Sequence, residues 1–226
     1  MNFQESKDNK LTERSSIFPK RKSKIFATAP AWLILAGLVI ALALLVIFAP
    51  QERTLGDGIK IVYVHVAVIW TAMLAIAAWG LLGLGVAFTD NPRLYSWLTT
   101  MRPLAFGVYL ISAVLGMVSS KINWGAVGWL EPRMQATLST LAVAVMIMVL
   151  NAWLSSRRIQ GVLGALMLAY TYWAIFSSPL VLHPENPIMS SDSGAIKLTF
   201  FICFALVLGI AAWILWYLQK LAPIQE

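Results

Sequence analysis

Six apolar stretches that contain no Asp, Glu, Lys or Arg dominate the sequence. A helix needs about 20 mainly apolar residues to cross the hydrocarbon core of a bilayer, and each stretch meets or approaches that length. They run from Ala31 to Ala49, Ile61 to Phe88, Pro103 to Ser120, Met134 to Ser156, Ile159 to Leu182 and Leu198 to Gln219. With 59% apolar and only 12% charged residues, the chain exceeds the apolar content of a soluble domain. We therefore predict an all-α, polytopic membrane protein with six transmembrane helices.

The stretches divide the chain into three parts. Residues 1–29 form a basic tail, residues 30–220 form a six-helix membrane domain, and residues 221–226 form a short C-terminal tail. Because the loops are short, any chemistry must be assembled from helix ends and external loops. Pro103 is expected at a helix boundary, where a residue without a backbone N–H does least harm.

Lys and Arg are divided unequally between the two sides of the predicted membrane domain. With six spans both termini share one side, which receives 12 of the 17 Lys and Arg, seven of them in the first tail. Short loops rich in these residues stay in the cytoplasm, so both termini are predicted to be cytoplasmic. The net charge of +7 is concentrated beside the first span, which favours contact with anionic membrane lipid over nucleic acid. The tail lacks the features of a transit peptide, which favours a prokaryotic plasma (inner) membrane.

The two histidines of the chain are expected on the same membrane face. His65 lies about one turn inside the second span, and His183 follows the end of the outward-running fifth span. Both imidazoles are therefore expected at a similar depth on the outer face of the membrane. The external loop 121–133 lies between them in sequence and carries two tryptophans, two glycines, one carboxylate and two cations.

Each of these residue types is also common at a membrane surface. Histidine and tryptophan anchor helices at the headgroup level, and Glu131 and Arg133 would form a solvated loop pair in that interpretation. Two imidazoles beside a loop with Trp and Arg equally supply what a heme needs, namely axial nitrogens, an aromatic surface and cations for the propionates. The residues alone leave a heme site, a plain interface and an unrecognised polar cavity open. The single cysteine, Cys203, excludes a disulfide or a Cys-x-x-Cys pair and is expected to be a small buried residue.

The segment Tyr63 to Trp70 resembles a known pattern of tyrosine, histidine and tryptophan. This pattern opens the second helix in the heme exporter protein C branch of the cytochrome c assembly membrane protein family. Leu182-His183-Pro184 matches the second histidine of that family, and loop 121–133 resembles its tryptophan-rich heme motif. The resemblance extends from Pro30 to Leu218.

The resemblance implies a heme b cofactor with His65 and His183 as its two axial iron ligands. It further implies that the external loop lies against the porphyrin. The matching loop residues are Trp124 and Gly125 at the start of the motif, Glu131 in place of the usual Asp, Arg133 as the cation, and Trp129 as an aromatic residue outside the family register.

The loop also departs from the family pattern. The central tryptophans of the motif fall on Val127, Gly128 and Leu130, so half of the aromatic platform is missing. Heme ligation is still implied, whereas efficient transfer to the usual chaperone is not. The implied partners are a periplasmic heme chaperone, small membrane accessory subunits of cytochrome c maturation and an ABC-transporter complex. The implied role is to bind and deliver heme at the outer face, and it is not that of an enzyme.

Two functions of other classes stay open. A small-solute transporter with an external histidine vestibule is disfavoured, because the six spans contain no Asp, Glu, Lys or Arg for ion coupling. A structural subunit of a membrane complex is the other alternative. Gly161, Ala165 and Ala169 form a stripe of small residues on which a partner helix can pack, although packing within the same chain is the more common use.

The distribution of Lys and Arg yields a topology prediction. A reporter that is active only in the cytoplasm should be active after Glu226 and silent when inserted at Val127 of the external loop. The measurement is the reporter activity of each fusion relative to its expression level. Activity restricted to the outside compartment for the fusion after Glu226 would reverse the assigned topology.

Overall fold

The computed structural model of the protein describes residues 29–179 and 188–221. Within these ranges the secondary structure consists of α-helices without a β-strand, which confirms the predicted all-α membrane fold. The helices are α1 (Ala29–Ile47), α2 (Ile59–Thr89), α3 (Pro92–Trp124), α4 (Pro132–Trp153), α5 (Arg157–Ser177) and α6 (Gly194–Leu221). Five of them, α2 to α6, are long and apolar enough to cross a membrane. Helix α1 is apolar and has 19 residues, which approaches the usual spanning length.

The chain separates into two compact units. The first is Met1–Ala36, whose described part is the first two turns of α1. The second is Gly37–Glu226, and it contains the remainder of α1 and all of α2 to α6. The candidate site described below lies entirely within the second unit.

Helix α3 is longer than the apolar stretch predicted. It has 33 residues, so it is about 50 Å long and exceeds the hydrocarbon thickness of about 30 Å. Pro92 at the first turn begins it, and Pro103 lies inside it, so the expectation that Pro103 marks a boundary is wrong. Helices in membranes tolerate an interior proline when neighbouring hydroxyls compensate the freed backbone groups. One turn before Pro103, the hydroxyls of Thr99 and Thr100 both donate to the Ser96 carbonyl, each at 2.9 Å, although the carbonyl that Pro103 leaves without its helical partner is that of Thr99.

Helix α2 is the central helix of the second unit, since it packs against α3, α5 and α6. Along the described chain α4 contacts only α3 and α5, so α2 and α4 stay apart and leave room for a cavity between them. The cavity end of the bundle is the end at which α2, α4 and α6 begin. At the opposite end α3 and α5 begin and α6 ends at Leu221.

Glycines allow α2 and α5 to approach backbone to backbone. A Cβ added at Gly83 would lie 2.5 Å from the Gly161 carbonyl oxygen, and one added at Gly161 would lie 2.5 Å from the Gly83 carbonyl oxygen. Gly164 is also close to Trp79, with an added Cβ 3.1 Å from the indole Nε1. The small-residue stripe that begins at Gly161 is therefore used within the chain at this residue, which is the more common use of such stripes.

Two apolar clusters fill the bundle. The cluster toward the cavity end includes Tyr63, Phe200 and Cys203, all fully buried. The Cys203 Sγ lies 3.7 Å from the Tyr63 carbonyl oxygen, which confirms the expectation of a small buried residue. The second cluster surrounds Trp79 and Tyr109 farther along α2 and α3.

Because α2 and α5 are so close, a methyl group added at their contact should destabilise the protein more than one added at an open position. Gly161→Ala should destabilise the protein by about 1–3 kcal/mol, because the new Cβ has to displace backbone rather than a side chain. Gly107→Ala in α3 is the matched control, since an added Cβ there has nothing within 4 Å. Thermal unfolding in detergent, followed by the helical circular dichroism signal, measures both. Equal midpoints for the two variants would mean that the α2–α5 contact is not tight.

Candidate functional site

A cavity of about 380 Å³ lies among α2, α3, α4 and α5 at the cavity end of the bundle. Its walls include four of the residues predicted for the site from the sequence, namely His65, Trp124, Glu131 and Arg133. Its volume is in the range of about 300–1,000 Å³ that is typical of pockets for small molecules and cofactors. The fold thus brings together residues that are up to 68 positions apart in sequence.

His65 lies in the second turn of α2 and is oriented by α3. Its ring Nδ1 is 3.1 Å from the Ser112 carbonyl oxygen. A carbonyl oxygen only accepts, so Nδ1 carries a proton, and in the neutral ring the lone pair is on Nε2. The Ser112 backbone thus helps to orient the imidazole. Nε2 is therefore the nitrogen that can bind a metal or accept a proton.

Gly116 makes room for the imidazole. A Cβ added at this position would lie 3.0 Å from the His65 Cε1. Ser112 and Gly116 are four residues apart and both line the cavity, so they lie on adjacent turns of the same face of α3. Small residues at this spacing inside an apolar stretch were the sequence signal that could have located the helix face beside His65.

A contact between the end of α3 and the start of α2 holds the two sides of the cavity in place. The Asn123 side-chain nitrogen donates to the Ser119 carbonyl at 3.0 Å and to the Gly58 carbonyl at 3.3 Å. A Cβ at Gly58 would collide with the Asn123 side-chain oxygen, at 2.1 Å. Glycine at this position thus lets the turn before α2 reach the last turn of α3, next to Trp124.

The external loop is shorter than the predicted 121–133. Residues up to Trp124 form the last turn of α3, and α4 begins at Pro132. Gly125 ends α3 with a left-handed φ of +79°, and its N–H donates to the Lys121 carbonyl at 3.0 Å. Its role is therefore to terminate the helix, and it is not among the residues that line the cavity.

The two tryptophans of the loop have different positions. Trp124 lines the cavity, whereas Trp129 does not, and 53% of the Trp129 surface is exposed. Leu130 beside it is 92% exposed. The loop backbone is held from α3, because the Ser120 hydroxyl donates to the Ala126 carbonyl at 2.8 Å. The tip with Trp129 and Leu130 is therefore an exposed apolar surface next to the cavity and not part of its wall.

The charged side chains of the loop lie in the cavity wall. Glu131 occupies the position before the first residue of α4 and is 4% exposed, so the interpretation of a solvated loop pair is wrong for it. Arg133 is half-buried, and its Nε is buried without a hydrogen-bond partner among the described residues. A guanidinium in this position favours a bound anion or carboxylate.

Most of the remaining wall is apolar, and the sequence reasoning did not assign these residues to a site. They include Val66, Ile69 and Trp70 of α2, Met134 of α4 and Ile175 of α5. The Trp70 ring meets Phe200 edge-on at 5.1 Å between centroids, which fixes its orientation from α6. The cavity therefore suits a mainly apolar ligand that carries an anionic group.

The turn before α2 is stabilised by its own carboxylates. The Glu52 carboxylate accepts from the backbone N–H groups of Thr54 at 2.8 Å and Leu55 at 3.0 Å, and also from the Thr54 hydroxyl. These bonds, that of the Thr54 hydroxyl first, hold the pKa of Glu52 below its usual value. Lys60, 2.9 Å from Asp57, likewise lowers the pKa of Asp57. Leu55 lines the cavity, so this ordered turn forms part of its cover.

The second predicted iron ligand, His183, lies outside the described residues, and its position stays a prediction. Within residues 29–179 and 188–221 no group of three or more His, Cys, Asp or Glu side chains is arranged to hold a metal ion. No model of a known protein family matches the sequence.

Proposed function

We propose that the protein binds heme b in this cavity and presents it at the outer face of a prokaryotic plasma membrane for cytochrome c maturation. His65 is one axial ligand, and His183 is the second, as the family resemblance implies. The observation that carries the proposal is the imidazole of His65, which is oriented by the Ser112 carbonyl inside an apolar cavity that also contains the Arg133 guanidinium.

The hydrogen bond to Ser112 supports a role of His65 as an iron ligand. Metal-binding histidines usually donate their second ring N–H to a carbonyl or carboxylate, which fixes the tautomer and makes the other nitrogen more basic. In this chain the donor is Nδ1, so iron would be bound by Nε2. A porphyrin supplies four nitrogens to its iron, so one or two side chains complete the coordination.

The other wall residues fit the remaining parts of a heme. Arg133, with its buried Nε, would bind a propionate carboxylate through charge-assisted hydrogen bonds. Trp124 and Trp70 provide aromatic surface for the macrocycle. Two histidine ligands would occupy the coordination positions that the porphyrin leaves open, so no position would remain for oxygen or another substrate. The bound heme would therefore be carried and handed over, not used for catalysis.

Delivery to a partner rests on the resemblance and on the position of the loop tip. Trp129 and Leu130 are exposed beside the cavity, where a periplasmic heme chaperone or a small accessory subunit would approach. An exposed apolar tip is suited to such a transient contact. In this proposal Trp124 contacts the heme, and Trp129 contacts the partner protein.

The visible spectrum of the purified protein tests the ligands. The parent protein supplied with heme should give a six-coordinate low-spin spectrum, and His65→Ala or His183→Ala should shift it toward five-coordinate high-spin. The double variant should lose stoichiometric heme, because the chain has no third histidine.

Met134 requires a control in this experiment, because its thioether lines the cavity and is a potential replacement ligand. Met134→Leu alone should leave the low-spin spectrum unchanged, and combined with His65→Ala it should remove any residual low-spin fraction. An unchanged low-spin spectrum in the double histidine variant would refute ligation by these histidines.

Retention of heme by loop variants tests the division of the loop. Trp124→Ala should release heme faster than Trp129→Ala, because only Trp124 lines the cavity. Arg133→Gln should weaken heme binding by about ten-fold or more, the loss typical of one charge-assisted contact, and Arg133→Lys should recover part of it. Transfer of heme to apomyoglobin gives the rates. If Trp129→Ala is the variant that loses heme, the loop contacts are assigned the wrong way round.

A further inference from the structure

A second polar cluster lies at the opposite end of the bundle, where α3 and α5 begin. The Gln160 side-chain oxygen accepts two hydrogen bonds, from the Tyr95 hydroxyl at 3.0 Å and from the Arg102 Nη2 at 3.1 Å. The Gln160 side-chain nitrogen donates to the Leu154 carbonyl at 2.6 Å. Gln160 is 5% exposed, so this network joins the two helices inside the protein.

Two guanidinium groups converge on this network. Arg102 bonds to Gln160 directly, and the Arg157 Cζ lies over the Tyr95 ring, 5.3 Å from its centroid. Both arginines are half-buried. Arg102 lies about three turns after the first residue of α3, so its charge is well away from the N-terminal end of the helix.

Among the residues that the structure describes, the cluster contains no negative charge. The ion pairs in the described part of the chain are Lys60–Asp57 and Arg158–Asp90, and neither involves Arg102 or Arg157. The Arg102 Nε is buried without a hydrogen-bond partner among the described residues. Gln160 and Tyr95 are neutral, so they do not offset the charges of the two arginines. A partly buried charge of this kind is costly unless an opposite charge is bound beside it.

The surrounding residues place the cluster at the headgroup level of a membrane. The Lys220 Nζ lies 3.9 Å from the Trp216 ring centroid near the end of α6, and such Lys and Trp pairs are typical of the membrane interface. Helix α5 also begins at Arg157, with Ser156 capping the N–H of Ile159 at 3.4 Å, so its positive end faces the same region.

From this geometry we propose that Arg102 and Arg157, together with the Tyr95–Gln160 pair, form a binding site for a phosphate-type oxyanion. The headgroup phosphate of an anionic phospholipid and free phosphate share this chemistry. A planar guanidinium matches two phosphate oxygens at once, and basic pockets between transmembrane helices commonly bind anionic headgroups. The site shares no residue with the cavity at the other end and is independent of the heme proposal.

Native mass spectrometry of the full chain in detergent tests the site with phosphatidylglycerol and phosphatidylcholine as probes. The parent protein should retain phosphatidylglycerol preferentially, and Arg102→Gln and Arg157→Gln should each lower that retention by about ten-fold or more. Arg158→Gln is the matched control, since Arg158 lies at the same end but is paired with Asp90 at 3.8 Å. It should retain phosphatidylglycerol like the parent protein.

Competition with inorganic phosphate separates the two sources of the anion. Phosphatidylglycerol that resists excess phosphate identifies a lipid headgroup, whereas displacement by phosphate, with phosphate-dependent thermal stability of the parent protein but not of Arg102→Gln, identifies free phosphate. Equal retention of both lipids together with no effect of phosphate would overturn the proposal. An equal loss in Arg158→Gln would also overturn it, because it would indicate general attraction to a basic surface. If Arg102→Gln does not fold, Arg157→Gln and the parent protein provide the same comparison.

Discussion

The contacts of α2 with its neighbours are the constraint on which the described structure depends. Lipid provides no hydrophobic driving force between helices, so helix association depends on close packing and on interhelical hydrogen bonds. In this chain α2 obtains both, through the Gly83–Gly161 approach to α5 and the Gly58–Asn123 contact with α3. These two contacts lie near opposite ends of α2, so they set its position along its whole length. The cavity follows, because among the described helices α4 packs on α3 and α5 but not on α2, and His65 lines the space between them.

The charged side chains of the bundle lie toward its two ends, and each end has a different chemistry. The cavity end combines an imidazole, a buried carboxylate and a guanidinium within apolar walls. The opposite end combines two guanidinium groups with a tyrosine and a glutamine, and no carboxylate of the described residues pairs with them. Such groups need hydrogen-bond partners from neighbouring helices when they lie at membrane depth. The Ser112 carbonyl serves His65 in this way, and Gln160 serves Arg102.

The two proposed ligands are matched to these different partners. A carbonyl that holds one imidazole nitrogen leaves the other suited to a metal, so the cavity end is suited to a metallated amphipathic ligand. A neutral amide that holds a guanidinium leaves its charge unbalanced, so the opposite end is suited to an oxyanion. The proposed cofactor site and the proposed lipid or phosphate site lie at opposite ends of the bundle and share no residue.

The sequence by itself determined the helical membrane fold, because the apolar length needed to cross a bilayer is visible in a single stretch of residues. It also indicated His65, Trp124, Glu131 and Arg133 as residues of one site, and the cavity contains all four. Only the tertiary structure decided which atoms face each other. The carbonyl of Ser112, the space above Gly116 and the outward position of Trp129 depend on how far α2 and α3 approach and on where α3 ends. The continuation of α3 through Pro103 was likewise visible only in the structure. Hydropathy depends on each residue alone, whereas these features depend on contacts between residues that are distant in sequence, which is why they could not be predicted.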